Sequence, residues 1–163
     1  MEKMTPEEVK LYFFGEGEWM QEPDQLEFEY EGYECEIRRN SMGSLCGYVK
    51  LPKEHPGYEK DYNDLDIDVH GGLTYSELEN DKWVIGFDCA HSCDIAPSCE
   101  KSLEEARKEF PLPDHIKELN DNVKKAYPNY SFLHPTYKNI EYVKSECMSL
   151  VDQIKDMKNV PEL

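Results

Sequence analysis

The chain has 163 residues and a net charge of −17, from 35 acidic and 18 basic residues. Its length fits a single domain, residues 1–163, that buries a core without needing a disulfide or a metal. The charge argues against double-stranded nucleic acid and anionic membrane as main partners. Because no apolar run suits a secretion signal or a membrane span, we expect a cytoplasmic protein with six reduced cysteines.

The first half of the chain predicts one helix followed by short strands. The stretch TPEEVKLYF has Thr5 as a helix cap and Pro6 at the first helical position. The stretch QLEFEYEGYECEIRRN alternates on both sides of Gly32, which predicts two strands and a tight turn. The stretches LCGYVKL, LDIDV, LTY and WVIGF complete a twisted, mainly antiparallel sheet of five or six strands over about residues 25–94.

The second half predicts helices. SLEEARKEF has a capping box from Ser102 to Glu105, and DHIKELNDNVKKAY has apolar residues at helical spacing, so about residues 96–136 form a peripheral helical segment. The last helix, about residues 137–158, has one apolar stripe made of Ile140, Val143, Cys147, Leu150, Val151, Ile154 and Met157. Strands followed by helices predict an α+β fold with this long helix packed on one face of the sheet.

The charges are unevenly distributed along the chain. Residues 1–36 contain twelve acidic residues, whereas the next stretch is basic, with Arg38, Arg39, Lys50, Lys53 and Lys60. A local basic strip in an acidic protein suits a small anionic ligand better than a polymer. The alternative is that these charges only solvate the strand faces.

Polar residues gather at the predicted strand ends, in the stretches EHP, DIDVHGG and GFDCAHSCD. Three kinds of chemistry remain open for them. The first is a zinc site that uses Cys89, His91, Cys93 and Cys99, although this spacing matches no familiar finger and free cysteines are usually buried. The second is hydrolysis, with a divalent metal or acid–base catalysis supplied by His55, His70, His91 and Asp88.

The third is a binding pocket without chemistry. In it, phosphate binds the basic side chains of Arg38, Arg39 and Lys50, and a base stacks on Tyr48 or Trp83. Strand-end Asp and His side chains then bind hydroxyl groups or the edge of the base. The alternative for the aromatic residues is a place in the core.

Three stretches, LCGYVKLPKEHPGY, DIDVHGGLTY and WVIGFDCAHSCD, together resemble a group of small proteins of tailed bacteriophages and prophages. The resemblance covers about residues 36–94 and the helix start near Tyr142 to Cys147. It implies phage origin and counts against a cysteine-rich metal site. It also implies a shared polar set made of His55, Asp66, His70, Asp88, His91 and Asp94.

Small phage proteins of this size include some that sequester nucleotide signals of bacterial immune systems. We therefore predict a protein, in the cytoplasm of an infected or lysogenic bacterium, that binds and sequesters a small anionic nucleotide-like ligand. Such a signal is ADP-ribose-derived or a cyclic nucleotide. The prediction is of a binding protein rather than an enzyme, with no cofactor and no metal.

The predicted ligand site comprises Arg38, Arg39, Tyr48, Lys50, His55, Asp66, His70, Trp83, Asp88, His91 and Asp94. Two alternatives stay open. One is a metal-dependent hydrolase of a nucleotide-like substrate. The other is an adaptor that binds a host protein through the acidic strands around Glu27, Glu29 and Glu31. A homo-oligomer is also left open.

Overall fold

The structure is a computed structural model and describes residues 3–158. Within them, four α-helices and five strands follow one another along the chain. In chain order they are α1 (Pro6–Phe14), β1 (Gln25–Tyr30), β2 (Tyr33–Arg39), β3 (Leu45–Leu51), β4 (Tyr75–Glu79), β5 (Lys82–Asp88), α2 (Pro97–Glu109), α3 (Asp114–Ala126) and α4 (Ile140–Ile154). No helix in this part of the chain is long and apolar enough to cross a membrane.

The five strands form one antiparallel sheet in the order β1-β2-β3-β5-β4. Two tight hairpins set its local register. At their tips, Glu31 and Gly32 join β1 to β2, and Asn80 and Asp81 join β4 to β5, all four with positive φ. Two consecutive residues with positive φ match the right-handed twist of the flanking strands. The predicted α+β fold with an antiparallel sheet of five or six strands is confirmed.

Helix α4 packs on one face of the sheet, mainly across β3 and β2. Its predicted apolar stripe is confirmed, since Val143, Cys147, Leu150, Val151 and Ile154 are all buried. The helix begins later than the predicted residue 137, at Ile140, because the side chain of Asn139 accepts a hydrogen bond from the Tyr142 N–H and caps it. Gly47 on β3 lets the helix approach closely, because a Cβ there would lie 2.7 Å from Cys147 Sγ.

The predicted strand LDIDV is wrong in its backbone pairing and right in its burial. Leu65 and Val69 are buried and Asp66 and Asp68 are exposed, as alternation predicts, but the segment pairs with no strand. Instead the Gln153 side chain on α4 accepts from the Asp68 N–H at 2.8 Å and donates to the Asp68 carbonyl at 2.7 Å. An extended segment packed against a helix shows the same alternation as a strand, because both have one buried face.

The segment of about residues 96–136 forms a helical arm, and we use that name for it below. α2 packs against α1, whereas α3 has no buried residue. α2 begins at Pro97, five residues before the predicted cap at Ser102, because proline suits the first helical turn. Both ends of the arm meet at its base, where Asp94 and Thr136 form a parallel bridge and the Ile95 N–H donates to the Thr136 carbonyl at 2.8 Å.

Candidate functional site

The carboxylate of Asp94 is the centre of a polar cluster at the end of β5. Its side chain has no exposed surface, and His70 Nε2 lies 2.8 Å from Oδ2. Lys138 Nζ lies 2.9 Å from Oδ1, and the His91 backbone N–H donates to Oδ2 at 3.0 Å. Three groups from separate parts of the chain therefore fix this carboxylate in place.

These contacts keep Asp94 ionised. Burial alone acts to raise its pKa, but hydrogen bonds from His70, the His91 backbone and Lys138 lower that pKa to about 2. A buried charge is tolerated when a partner of opposite charge and several donors surround it. Asp94 is therefore a permanent anion around which the cluster is built.

The His70 ring is held at both nitrogens. Because Nε2 faces a carboxylate at 2.8 Å, that nitrogen carries a proton, and in the neutral ring Nδ1 accepts from the Tyr142 hydroxyl at 2.8 Å. Burial, with the nearby carboxylate of Glu146, raises the pKa of Tyr142 to about 12, so its hydroxyl keeps a proton to donate. The same Glu146 accepts from the His70 backbone N–H at 3.0 Å.

The His91 ring lies directly over Gly71. A Cβ at Gly71, where φ is +69°, would come within 2.1 Å of that ring, which explains why glycine follows His70. His91 Nδ1 lies 3.3 Å from Asp94 Oδ2, and its Nε2 lies 3.6 Å from Asp88 Oδ1. The side chains of His91 and Asp88 are each 32% exposed, so solutes reach these two members of the cluster and not the carboxylate of Asp94.

Asp88 supports the loop that carries His91. It accepts from the Ala90 N–H at 3.2 Å and from the Thr74 hydroxyl at 3.1 Å. The turn is thus closed by the carboxylates at its two ends, Asp88 and Asp94. In each carboxylate the oxygen that accepts from the turn's backbone also faces a histidine, Asp88 Oδ1 towards His91 and Asp94 Oδ2 towards His70 and His91.

A cleft of about 390 Å³ lies beside the cluster, between the strand end and the base of the arm. Its apolar lining is made of Met42, Ala90, Ile95, Ala96, Leu103 and Pro135. Its polar lining is made of His91, Ser92, Asp94, Cys99 and Glu100. None of the described residues that line it is a lysine or an arginine. This size and this mixture of apolar floor and few polar groups are typical of small-molecule sites.

The structure places part of the predicted basic strip on the open face of the sheet, away from α4. The Arg38 guanidinium binds both oxygens of Glu36 at 2.8 Å, contacts Glu79 at 3.0 Å, and lies 4.6 Å from the centre of the Tyr48 ring. Lys50 lies 3.8 Å from Glu36. Both cations of this face therefore already have carboxylate partners, and Tyr48 is covered by one of them.

The remaining predicted residues lie apart from the cluster. Arg39, with only 2% of its side chain exposed, binds Asp24 at 2.7 Å and the Tyr137 hydroxyl at 2.6 Å. Trp83 donates from its indole to the Lys60 carbonyl at 2.8 Å, and Asp66 is exposed.

His55 is buried at the far end of α4 from the cluster. Its Nε2 lies 2.9 Å from the Ile154 carbonyl, and its Nδ1 accepts from the Gly57 N–H. His70 contacts Tyr142, twelve residues earlier on the same helix, which corresponds to about 18 Å at 1.5 Å per residue. His55 and His70 therefore belong to different environments.

All six cysteines are free. Cys35, Cys46, Cys89 and Cys147 are buried, and burial raises the pKa of each thiol, to about 11 for Cys35. Cys93 is half-buried and Cys99 is exposed on α2. In the described part of the chain, the side chains that come together as a set of metal ligands are His70, His91 and Asp94, not the cysteines.

Sequence reasoning missed Lys138 and gave no role to Tyr142 and Glu146. Tyr142 and Glu146 lie in the stretch near the helix start that resembles the phage proteins, but nothing local shows that they face His70. Lys138 has no local signal at all, because its partner Asp94 lies 44 residues earlier. Comparison with protein-family models, curated proteins and solved structures finds no match to this chain.

Proposed function

We propose that the protein binds and sequesters a small nucleotide-like molecule in the cleft between the strand end and the arm. The observation that carries this proposal is the convergence of His70, Asp88, His91 and Asp94, from two separate stretches, in one cluster, of which His91 and Asp94 line a cleft of about 390 Å³. Ligand sites of drug-sized molecules typically have volumes of about 300–1,000 Å³.

The lining indicates which part of the ligand is recognised. Met42 and Leu103, respectively 38% and 50% exposed, offer apolar surface for a flat base. His91 and Ser92 offer hydrogen bonds for ribose hydroxyls, and the Glu100 carboxylate accepts from an amine. Because no lysine or arginine is among the described lining residues, the base and sugar supply most of the recognition.

The resemblance to phage proteins suggests the biological source of such a ligand. A phage protein that retains a host nucleotide signal removes it from the immune response without any chemical step. Retention, rather than turnover, agrees with a cluster in which Asp94, His70 and Tyr142 are already hydrogen-bonded to one another.

The test is capture and release. The protein is incubated with ADP-ribose or a cyclic dinucleotide, freed of unbound ligand by filtration in EDTA, and denatured by heat. We expect intact ligand in the supernatant. Recovery of a cleaved product would show that the protein hydrolyses the ligand and does not sequester it. Recovery of no ligand from any nucleotide class would overturn the proposal.

A matched pair of variants locates the site. Leu103→Trp places an indole in the cleft from an exposed position, and Leu119→Trp places the same group on α3, away from the cleft. Both leucines are at least half exposed, so both variants are expected to fold. We expect at least about tenfold weaker binding for the first variant and no change for the second.

A further inference from the structure

We infer that His70 Nε2, His91 Nδ1 and one carboxylate oxygen of Asp94 form a binding site for a single first-row transition cation such as Zn²⁺, open towards the cleft. The ligand atoms that these three residues offer lie within 4.8 Å of one another. The sequence predicts no metal in the favoured binding site, and the hydrolase alternative places a divalent metal with His55, His70, His91 and Asp88 rather than with Asp94.

The distances between the donor atoms suit a common cation. His70 Nε2 lies 2.8 Å from Asp94 Oδ2, and His91 Nδ1 lies 3.3 Å from the same oxygen. With metal–ligand distances of about 2.0–2.2 Å, neighbouring ligands lie about 2.8–3.1 Å apart at octahedral angles and about 3.3–3.6 Å apart at tetrahedral angles. The His91 side chain, 32% exposed, is the most accessible of the three ligands.

Each of the three donors also has a second group that orients it. The Tyr142 hydroxyl lies 2.8 Å from His70 Nδ1. Asp88 faces His91 Nε2 at 3.6 Å. Lys138 binds Asp94 Oδ1 at 2.9 Å and the His91 N–H donates to Oδ2 at 3.0 Å, so Oδ2 keeps one lone pair for the cation. Metal-binding histidines and carboxylates usually have such partners, which fix the tautomer and the orientation of the ligand.

The donor set also selects the class of cation. Two imidazoles and one carboxylate suit Zn²⁺ or Fe²⁺, whereas Mg²⁺ and Ca²⁺ prefer oxygen ligands throughout. Three protein ligands leave at least one coordination position for water or a ligand group. Because His91 and Asp94 form part of the cleft wall, that position faces the cleft.

The cation would also complement the proposed ligand site, and this one consequence rests on the proposed function. The cleft has no lysine or arginine among its described lining residues, so a bound cation would add positive charge beside a phosphate and strengthen a binding that already rests on base and sugar. The metal test below uses the protein and metal alone, and the capture test is run in EDTA. Failure of either leaves the other standing.

The first experiment is a Zn²⁺ titration of the full chain in competition with a chromophoric chelator. We expect one equivalent to bind, with no competition from millimolar Mg²⁺. His91→Ala should weaken binding by more than about 100-fold, and Tyr142→Phe, which removes only an orienting hydroxyl, by about 10–100-fold. His115→Ala, at an exposed histidine on α3, should leave the affinity unchanged.

The second experiment follows the tautomer of His70 by long-range ¹H–¹⁵N NMR. In the metal-free protein its proton lies on Nε2, which faces Asp94. When Zn²⁺ binds Nε2, the proton should move to Nδ1 and donate to the Tyr142 hydroxyl. The inference is overturned if Zn²⁺ binds more weakly than about 10 μM, if His91→Ala leaves its affinity unchanged, or if the His70 proton stays on Nε2.

Discussion

The close approach of His91 to Gly71 gives the most discriminating test of the cluster. Gly71 and Gly72 are adjacent and both have positive φ, +69° and +79°. A Cβ at Gly71 would lie 2.1 Å from the His91 ring, whereas a Cβ at Gly72 would have no atom within 4 Å. Alanine at the two positions therefore shares the backbone strain and differs only in the contact with His91.

The expected losses of stability follow from these two terms. A left-handed conformation costs an L-residue about 1–2 kcal/mol, so Gly72→Ala should lower the free energy of unfolding by about that amount. In Gly71→Ala the new methyl group must also displace the packed ring of His91, and such overpacking costs about 1–3 kcal/mol more. We therefore expect Gly71→Ala to lose about 2–5 kcal/mol, measured by urea unfolding at one temperature.

A double-mutant cycle assigns the difference to the ring. In Gly71→Ala combined with His91→Ala, the clash is absent, so the total loss should be smaller than the sum of the single losses by about 1–3 kcal/mol. The reasoning is refuted if the two glycine variants lose the same stability within about 0.5 kcal/mol, or if the cycle shows no coupling beyond that margin.

Three further predictions concern buried polar groups outside and inside the cluster. Asp94→Asn should cost about 3–5 kcal/mol in urea unfolding, because it leaves an ammonium group without its anion, whereas Asp66→Asn, at an exposed position, should cost almost nothing. The Asp94 pKa is lowered from 3.8 to about 2, so its ionised form stabilises the folded protein and this contribution is lost when the carboxylate is protonated. It should amount to about 2 kcal/mol between about pH 4 and about pH 2 in an acid titration of the wild type, and Asp94→Asn should lack this contribution. His55→Ala should lower the free energy of unfolding in a thermal melt by about 1–3 kcal/mol and leave Zn²⁺ affinity unchanged; a changed affinity would contradict its separate placement. Arg39→Met should cost about 3–5 kcal/mol in denaturant because it leaves Glu22, whose side chain is only 11% exposed, without its cation. An equal loss from Arg107→Met, at an exposed position, would contradict that explanation.

The sequence predicted those parts of the fold in which apolar residues recur at a regular spacing along the chain. The alternation in β1 and β2 and the apolar stripe of α4 each follow from one buried face, which residues close in sequence reveal. The misassigned strand LDIDV has the same alternation, but its backbone groups bond to the side chain of Gln153, which lies 85 residues later. The spacing of apolar residues indicates which face of a segment is buried, but it does not identify the groups to which its backbone is hydrogen-bonded.

The candidate site was predictable only in part for the same reason. His70 and His91 were singled out because they belong to a group of polar, titratable residues that gather at the predicted strand ends. One partner of Arg38, Glu36, lies two residues earlier on the same face of β2, so alternation could have indicated that pair. The other partner, Glu79, lies 41 residues later and has no local signal. Nor could the sequence show that Lys138 pairs with Asp94, because the two residues lie 44 positions apart, on either side of the arm.

The distribution of the cysteines gives this protein a labelling site that needs no engineering. A thiol reagent at neutral pH requires an accessible thiolate, and burial with a raised pKa protects Cys35, Cys46, Cys89 and Cys147. Of the other two, Cys93 is half-buried, whereas Cys99 is exposed and forms part of the cleft wall. An environment-sensitive dye coupled there would report in real time on whatever enters the cleft, in the native sequence.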